Sequence, residues 1–181
     1  MMFLTNIIYA TQSERLTTIL DKIRNNDPEM SRIDLINMRI DDNEAIALAE
    51  ALKNNSVVKI LDLFRNRITD KGAMAFAVLF QNNHALEKVY FWGARMEEDG
   101  IEALVKALEN NFSITELGVN DDRIRSILQR NRRKQIEDLI KAHPNKPIEE
   151  YVIAAQYWVH SKNDAEKEVS HIHNSHHFCG S

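Results

Sequence analysis

The 181-residue chain has a single cysteine, Cys179, so no intrachain disulfide can form and nothing in it calls for an oxidising compartment. Glycine is scarce, with five residues, and the chain carries neither a phosphate-cradling glycine loop nor a Gly-x-Ser-x-Gly nucleophile turn. No apolar run approaches the ~20 residues of a membrane span. The first apolar stretch, Met1–Ala10, is interrupted by Thr5 and Asn6 and preceded by no Lys or Arg, which argues against a signal peptide. A basic excess is also missing: 23 Lys and Arg stand against 27 Asp and Glu, for a formal charge of -4. A chain built as a whole to grip nucleic acid would need the opposite balance. These absences predict a cytoplasmic protein with no nucleic-acid or membrane partner, and they leave open export by a route without a cleaved N-terminal signal.

What is present is a repeat. Hydrophobic residues make up 44% of the chain and charged residues 28%, a composition that supports one core. Four apolar segments, Ile33-Asp34-Leu35, Leu61-Asp62-Leu63, Val89-Tyr90-Phe91 and Leu117-Gly118-Val119, begin at 33, 61, 89 and 117, a constant step of 28. The same step relates Met30, Val58, Leu86 and Ile114 before these segments and Ile40, Ile68, Met96 and Ile124 after them. Between them, Ala45-Leu48-Ala49-Leu52, Ala73-Phe76-Ala77-Phe80 and Ile101-Leu104-Val105-Leu108 are apolar at i, i+3, i+4 and i+7, one face of a helix. Asp41-Asp42, Thr69-Asp70 and Glu97-Glu98 suit the positive helix starts. Asn54-Asn55, Asn82-Asn83 and Asn110-Asn111 sit at the ends, where asparagine tolerates the left-handed conformation that closes a helix. A single strand and helix cannot bury their own apolar face, so neighbouring units must stack.

Val58-x-x-Leu61-x-Leu63-x-x-Asn66-x-Ile68 resembles the leucine-rich-repeat signature, and the repeat length and helix resemble its ribonuclease-inhibitor subclass. The resemblance covers residues 30–124. It implies an α/β fold: a short right-handed solenoid, or horseshoe, with a parallel sheet on the concave face and helices on the convex face. In the column where that family has asparagine, the chain has Met38, Asn66, Ala94 and Asp122, so asparagine bonding of the turn is expected only at Asn66. Residues 1–29, with Leu16, Leu20 and Ile23 on one helix face, read as an N-terminal helical cap. Residues 125–160, with predicted helices over 126–141 and 148–160, read as a C-terminal cap, and residues 161–181 as a His-rich tail. The run Leu20-Asp-Lys-Ile-Arg-Asn-Asn-Asp-Pro-Glu-Met30 is similar to the lead-in to the repeat domain of tropomodulins, actin-filament pointed-end binders, which implies actin binding.

In a strand alternate residues face opposite sides, so inward Leu61 and Leu63 put Asp62 and Phe64 on the concave side. The same phase places Asp34, Ile36, Tyr90, Trp92, Gly118 and Asn120 there. Ile36, Phe64 and Trp92 fall on adjoining strands and, with Tyr90, form a candidate partner-binding patch centred on Trp92. Packing of these aromatics under the chain's own terminal segments is the competing reading. Arg39, Arg67, Arg95 and Arg123 form a second file at the same step. It reads either as an ion-pair ladder with Asp42, Asp70 and Glu98 or as a contact for an anionic partner. Arg130-x-Arg132-Arg133-Lys134 reads as the solvated face of a helix, with nuclear import or an anionic contact as alternatives.

His171, His173, His176, His177 and Cys179 have ligand chemistry, but their spacing fits no closed structural motif, so no metal and no cofactor are assigned. His84 sits in a helix-to-strand turn, and Asp34 with Asp62 makes a carboxylate pair that partner contact explains. No catalytic set emerges, and the chain is read as a non-enzyme. The primary functional reading is a protein-recognition module. The alternatives are an actin-binding cytoskeletal regulator and a eukaryotic-like effector of an intracellular bacterium acting on a host protein.

Overall fold

The computed structural model describes residues 12–144 and 146–156 together with Val169 and Ile172. Its elements follow the order α1 (Gln12–Arg24), β1 (Arg32–Asp34), α2 (Asp42–Leu52), β2 (Ile60–Asp62), α3 (Asp70–Asn82), β3 (Lys88–Tyr90), α4 (Glu98–Leu108), β4 (Glu116–Leu117), α5 (Asp122–Ala142) and α6 (Ile148–Gln156). The strands form one parallel sheet in sequence order. Ile33 pairs with Leu61, Leu61 with Val89 and Val89 with Leu117, so the sheet register equals the sequence period of 28. Helices α2, α3 and α4 are the crossovers that the three parallel pairs require, and helices from successive coils pack side by side, α1 on α2, α2 on α3 and α3 on α4.

One core runs through the stack. Ile33, Leu35, Leu61, Leu63, Val89, Phe91 and Leu117 point from the sheet into the buried layer, where they meet Leu48, Leu52, Phe76, Phe80, Leu104 and Leu108. Phe76 meets Phe91 edge-on, with ring centroids 5.0 Å apart, a favoured aromatic geometry. Leu16, Leu20 and Ile23 of α1 close this core at one end, and Ile124 and Leu128 of α5 at the other. Helix α5 begins four residues earlier than the periodicity predicted, because Asp121 accepts the Arg123 and Ile124 N–H groups and caps it. At 21 residues, or about 31 Å, it outruns the repeat stack. Its distal part, Ile136 and Ile140, builds a second small core with Tyr151, Val152, Ala155, Val169 and Ile172. Of the predicted helix over 148–160, residues 157–160 lie outside the described residues, as does Trp158.

The helix ends differ from expectation. No residue of the three asparagine pairs has a positive φ, and Asn83 is extended at φ -97. The second asparagine of each pair acts through its amide instead. Asn83 Nδ2 donates to Leu52 O and Asn55 O of the preceding coil, and its Oδ1 accepts from Ala85 N and Leu86 N. Asn111 repeats this with Phe80 O, Asn83 O, Ser113 N and Ile114 N. Asn55 Nδ2 donates to Ile23 O in α1, while Asn131 of α5 donates to Asn111 O and Ile114 O. All four asparagines are buried. Buried amides must be satisfied, and here each ties two coils together.

Left-handed backbone appears at the other end of the strands, at Asn37, Arg65 and Gly93, again 28 apart, and at Arg39, and on the helix-to-strand side at Asn26, just after α1. Asn66 serves two turns at once, accepting from Ile40 N and donating to Leu35 O and Leu63 O. The Ala94 turn closes through backbone alone, Ala94 N to Phe91 O at 2.8 Å.

Candidate protein-binding face

The strand residues that do not enter the core line the open face of the sheet in three rows. The first is Arg32, Ile60, Lys88 and Glu116, the second Asp34, Asp62 and Tyr90, which Gly118 extends through its N–H to Val89 O. The ladder continues past the strands through Asn37 N to Phe64 O and Arg65 N to Trp92 O, which aligns Ile36, Phe64 and Trp92 as the third row, and Asn120 shares cavity walls with Trp92. The predicted partner-binding residues are thus brought onto one surface. Ile36 and Trp92 are each 47% exposed, and Phe64 and Tyr90 are partly buried. The described terminal elements, α1 and α6, do not cover the row.

The first two rows are electrostatically closed. Arg32 bridges Asp34 at 2.8 Å and Asp62 at 3.8 Å, which answers the carboxylate pair read from the sequence. Lys88 pairs with Glu116, whose other oxygen accepts the Tyr90 hydroxyl at 2.7 Å. Burial and that hydrogen bond to Glu116 push the Tyr90 phenol well above its ordinary range, so it stays a donor.

The third row is different. Gly118 leaves a notch: a Cβ there would come within 2.8 Å of Trp92 Cδ1 and Nε1, so the indole lies across the glycine. Beside it a cleft of about 520 Å³ opens between the sheet and α5, with Tyr90, Trp92, Asn120, Arg125 and Arg132 among its walls. A second hollow of about 240 Å³ also borders the ring, with Gly93, Met96 and Ile101 among its walls. Trp92 thus borders two depressions, and its half-exposed ring is the large apolar group of this row.

The arginine file resolves in a way the sequence did not indicate. Asp42 does not pair with Arg39. It reaches forward to the next coil, where its Oδ1 accepts from Thr69 N and Gly72 N and its Oδ2 from the Thr69 hydroxyl at 2.6 Å. Burial by itself would raise the Asp42 carboxyl, but these three hydrogen bonds outweigh it and hold the group below its ordinary value. Asp70 does the same for the following coil through Glu97 N. Thr69 and Glu97 precede their helices without capping them by side chain. Each acidic residue thus caps its neighbour's helix, and among the described residues Arg39, Arg67 and Arg95 are exposed with no ion pair. Only Arg123 is neutralised, by Asp121, Glu98 and Glu102, each at 2.9 Å. The continuous ion-pair ladder is corrected to three free cations and one paired one.

The basic stretch on α5 is likewise more than a solvated face. Arg130 donates to Glu109 O and Leu108 O at the end of α4 and lies 4.4 Å over the Phe112 ring, while Arg132 donates to Thr115 O. Both serve the junction between the last repeat and α5, which a charge run does not reveal. His84 is exposed, as expected of a turn. The histidine and cysteine side chains of the tail lie outside the described residues. Among those described, no three His, Cys, Asp or Glu residues group as metal ligands, and no helix is long and apolar enough to cross a membrane.

A parallel sheet laid down one strand per 28-residue coil, backed by helices in lateral register, defines a leucine-rich-repeat protein. Comparison with protein families is more specific: the TMOD/LMOD leucine-rich domain matches residues 13–145. The chain belongs to this tropomodulin and leiomodin leucine-rich-domain family. A solved structure described as leiomodin-1 actin-binding site 2 shares the fold, with a TM-score of 0.59 at 21% identity over 75% of this chain and 98% of that one. A Caenorhabditis elegans tropomodulin C-terminal domain gives a TM-score of 0.48 at 16% identity over 68% and 98%. Comparison with curated proteins gives no match.

Proposed function

We propose that this protein binds actin as a cytoplasmic cytoskeletal regulator and docks it on the open sheet face around Trp92. The observation that carries the reading is the family match, which spans α1, all four repeats and α5. The sequence pointed the same way in its alternative, through the tropomodulin-like run at residues 20–30. The general recognition module read first is narrowed accordingly, to a protein partner of the actin class. Residues 30–124 are the recognition unit on this reading, with α1 and the first part of α5 closing its two ends.

Trp92 is the anchor because it combines a large half-exposed ring with two bordering hollows, and large aromatics of this kind dominate binding energy at interfaces. The test is co-sedimentation with actin filaments together with elongation from the pointed end. The wild type pellets with filaments or slows elongation. Trp92→Ala loses about 2 kcal/mol, roughly 30-fold in affinity, with its near-ultraviolet circular dichroism otherwise intact. A wild-type chain without effect in both assays removes actin as the partner, whereas an unaltered Trp92→Ala affinity moves the contact off this face.

A further inference from the structure

The three unpaired arginines sit on the loops that leave the strands. Arg67 N donates to Ile40 O and Arg95 N to Ile68 O, both at 2.8 Å, so the backbone holds successive coils in register where these side chains emerge. Arg65 adds a fourth exposed cation, its guanidinium 5.0 Å over the Phe64 ring. The carboxylates nearest Arg39 and Arg67 are committed elsewhere, Asp41 and Glu44 to a reciprocal capping box and Asp42 and Asp70 to the next coil, while near Arg95 Glu98 pairs with Arg123 and Glu97 and Asp99 make no ion pair with it. On a chain of net charge -4, these guanidiniums form a strip of exposed cations that no carboxylate among the described residues pairs.

We propose that Arg39, Arg67 and Arg95, with Arg65, form a binding strip for a short acidic peptide segment that runs across the coils. Strands repeat at about 4.8 Å and packed helices at about 8–10 Å, and these loops lie between the two layers, so the cations repeat at an intermediate interval. An extended chain presents alternate side chains on one side every ~6.6–6.8 Å, which falls within that interval. Guanidinium forks bind carboxylates through paired, charge-assisted hydrogen bonds. The strip is short because its fourth position, Arg123, is filled by Asp121, Glu98 and Glu102. A continuous polyanion such as nucleic acid would run on into Glu97, Glu98, Asp121 and Asp122, so a brief run of carboxylates suits the site and a long phosphate backbone does not. The strip lies along the Ile36–Phe64–Trp92 row but does not depend on actin being the occupant of that row.

The experiment measures binding of the full chain to fluorescent peptides by anisotropy at low and high salt. One peptide alternates Glu and Ser. A second has the same composition with its glutamates in adjacent pairs, and oligo-dT and vesicles of anionic phospholipid serve as other polyanions. The alternating peptide is expected to bind best and to weaken as salt rises. The variant combining Arg39→Gln, Arg67→Gln and Arg95→Gln is expected to bind about tenfold or more weakly at an unchanged melting temperature, while Arg133→Gln binds as wild type. No binding at low salt, equal binding of the paired peptide, tighter binding of oligo-dT or vesicles, or an unaffected triple variant would each overturn the proposal. Because actin is absent from the assay, its result is separate from that of co-sedimentation.

Discussion

The two edges of the sheet carry files of polar residues with the same 28-residue step and opposite fates. At the helix-to-strand edge Asn55, Asn83 and Asn111 are buried, and each amide is bonded to two coils. At the strand-to-helix edge Arg39, Arg67 and Arg95 are exposed, and among the described residues they bond nothing by side chain. Periodicity alone therefore does not tell a structural ladder from a recognition strip. The outcome is decided by whether the neighbouring coil offers matching groups. Backbone carbonyls and N–H groups turn toward the asparagines. Asp42 and Asp70, which could have met Arg39 and Arg67, bond the start of the next helix instead, and Glu98 pairs with Arg123.

The sharpest way to break this contrast is at the closed edge. Asn83→Ala would leave Leu52 O, Asn55 O, Ala85 N and Leu86 N without their side-chain partner. At ~1–3 kcal/mol for each unsatisfied buried group, offset in part by relaxation, a loss of about 3 kcal/mol or more in urea denaturation is expected. A loss below about 1 kcal/mol would mean that the asparagine file is not what joins the coils. Next in size is Trp92→Ala, where the expected ~2 kcal/mol appears in partner affinity and not in folding. Loss of folding would make Trp92 a core residue and close the open face.

Asp42→Ala removes the cross-coil cap of α3 and should cost about 1 kcal/mol. Its carboxyl is held below its ordinary value in the folded protein. That contribution is therefore complete above the unfolded carboxyl pKa of ~3.9 and fades as pH falls through the lower folded value. Denaturation at pH 7 and pH 3 should show wild type losing more stability than Asp42→Asn over that interval. A steeper loss in the variant would reverse the sign of the argument. The smallest effect belongs to Arg67→Gln, expected within about 0.5 kcal/mol of wild type because an exposed unpaired side chain contributes little to folding. A cost above about 1 kcal/mol would show that the arginine edge is structural after all.

The fold was legible because burial and period are both properties of apolar spacing. The columns Leu61, Leu63, Ile68, Phe76 and Phe80 set register, face and crossover in advance. The placement of Ile36, Phe64 and Trp92 on one row followed from strand alternation alone. The polar contacts were less legible, since a hydrogen bond depends on where the next coil's backbone turns. Asn83 was read as a residue for left-handed backbone, yet it is extended and bonds through its amide. A signal was available: an asparagine invariant in phase at 55, 83 and 111, each three residues before a buried apolar position, suits an amide that receives the returning chain. Asp42 offered no such signal, because a carboxylate three residues after an arginine looks the same whether it turns back to that arginine or forward to Thr69. Arg130 and Arg132 were hidden for a related reason, their acceptors being main-chain carbonyls of another element.

Hydrogen–deuterium exchange of the full chain with and without actin bears most directly on the division between a closed and an open edge. The account predicts slowed exchange over Phe64–Arg67 and Trp92–Arg95 when actin is added, and no change over Asn55–Val58 and Asn83–Leu86. Protection confined to the asparagine edge, or no protection anywhere at saturating actin, would contradict it.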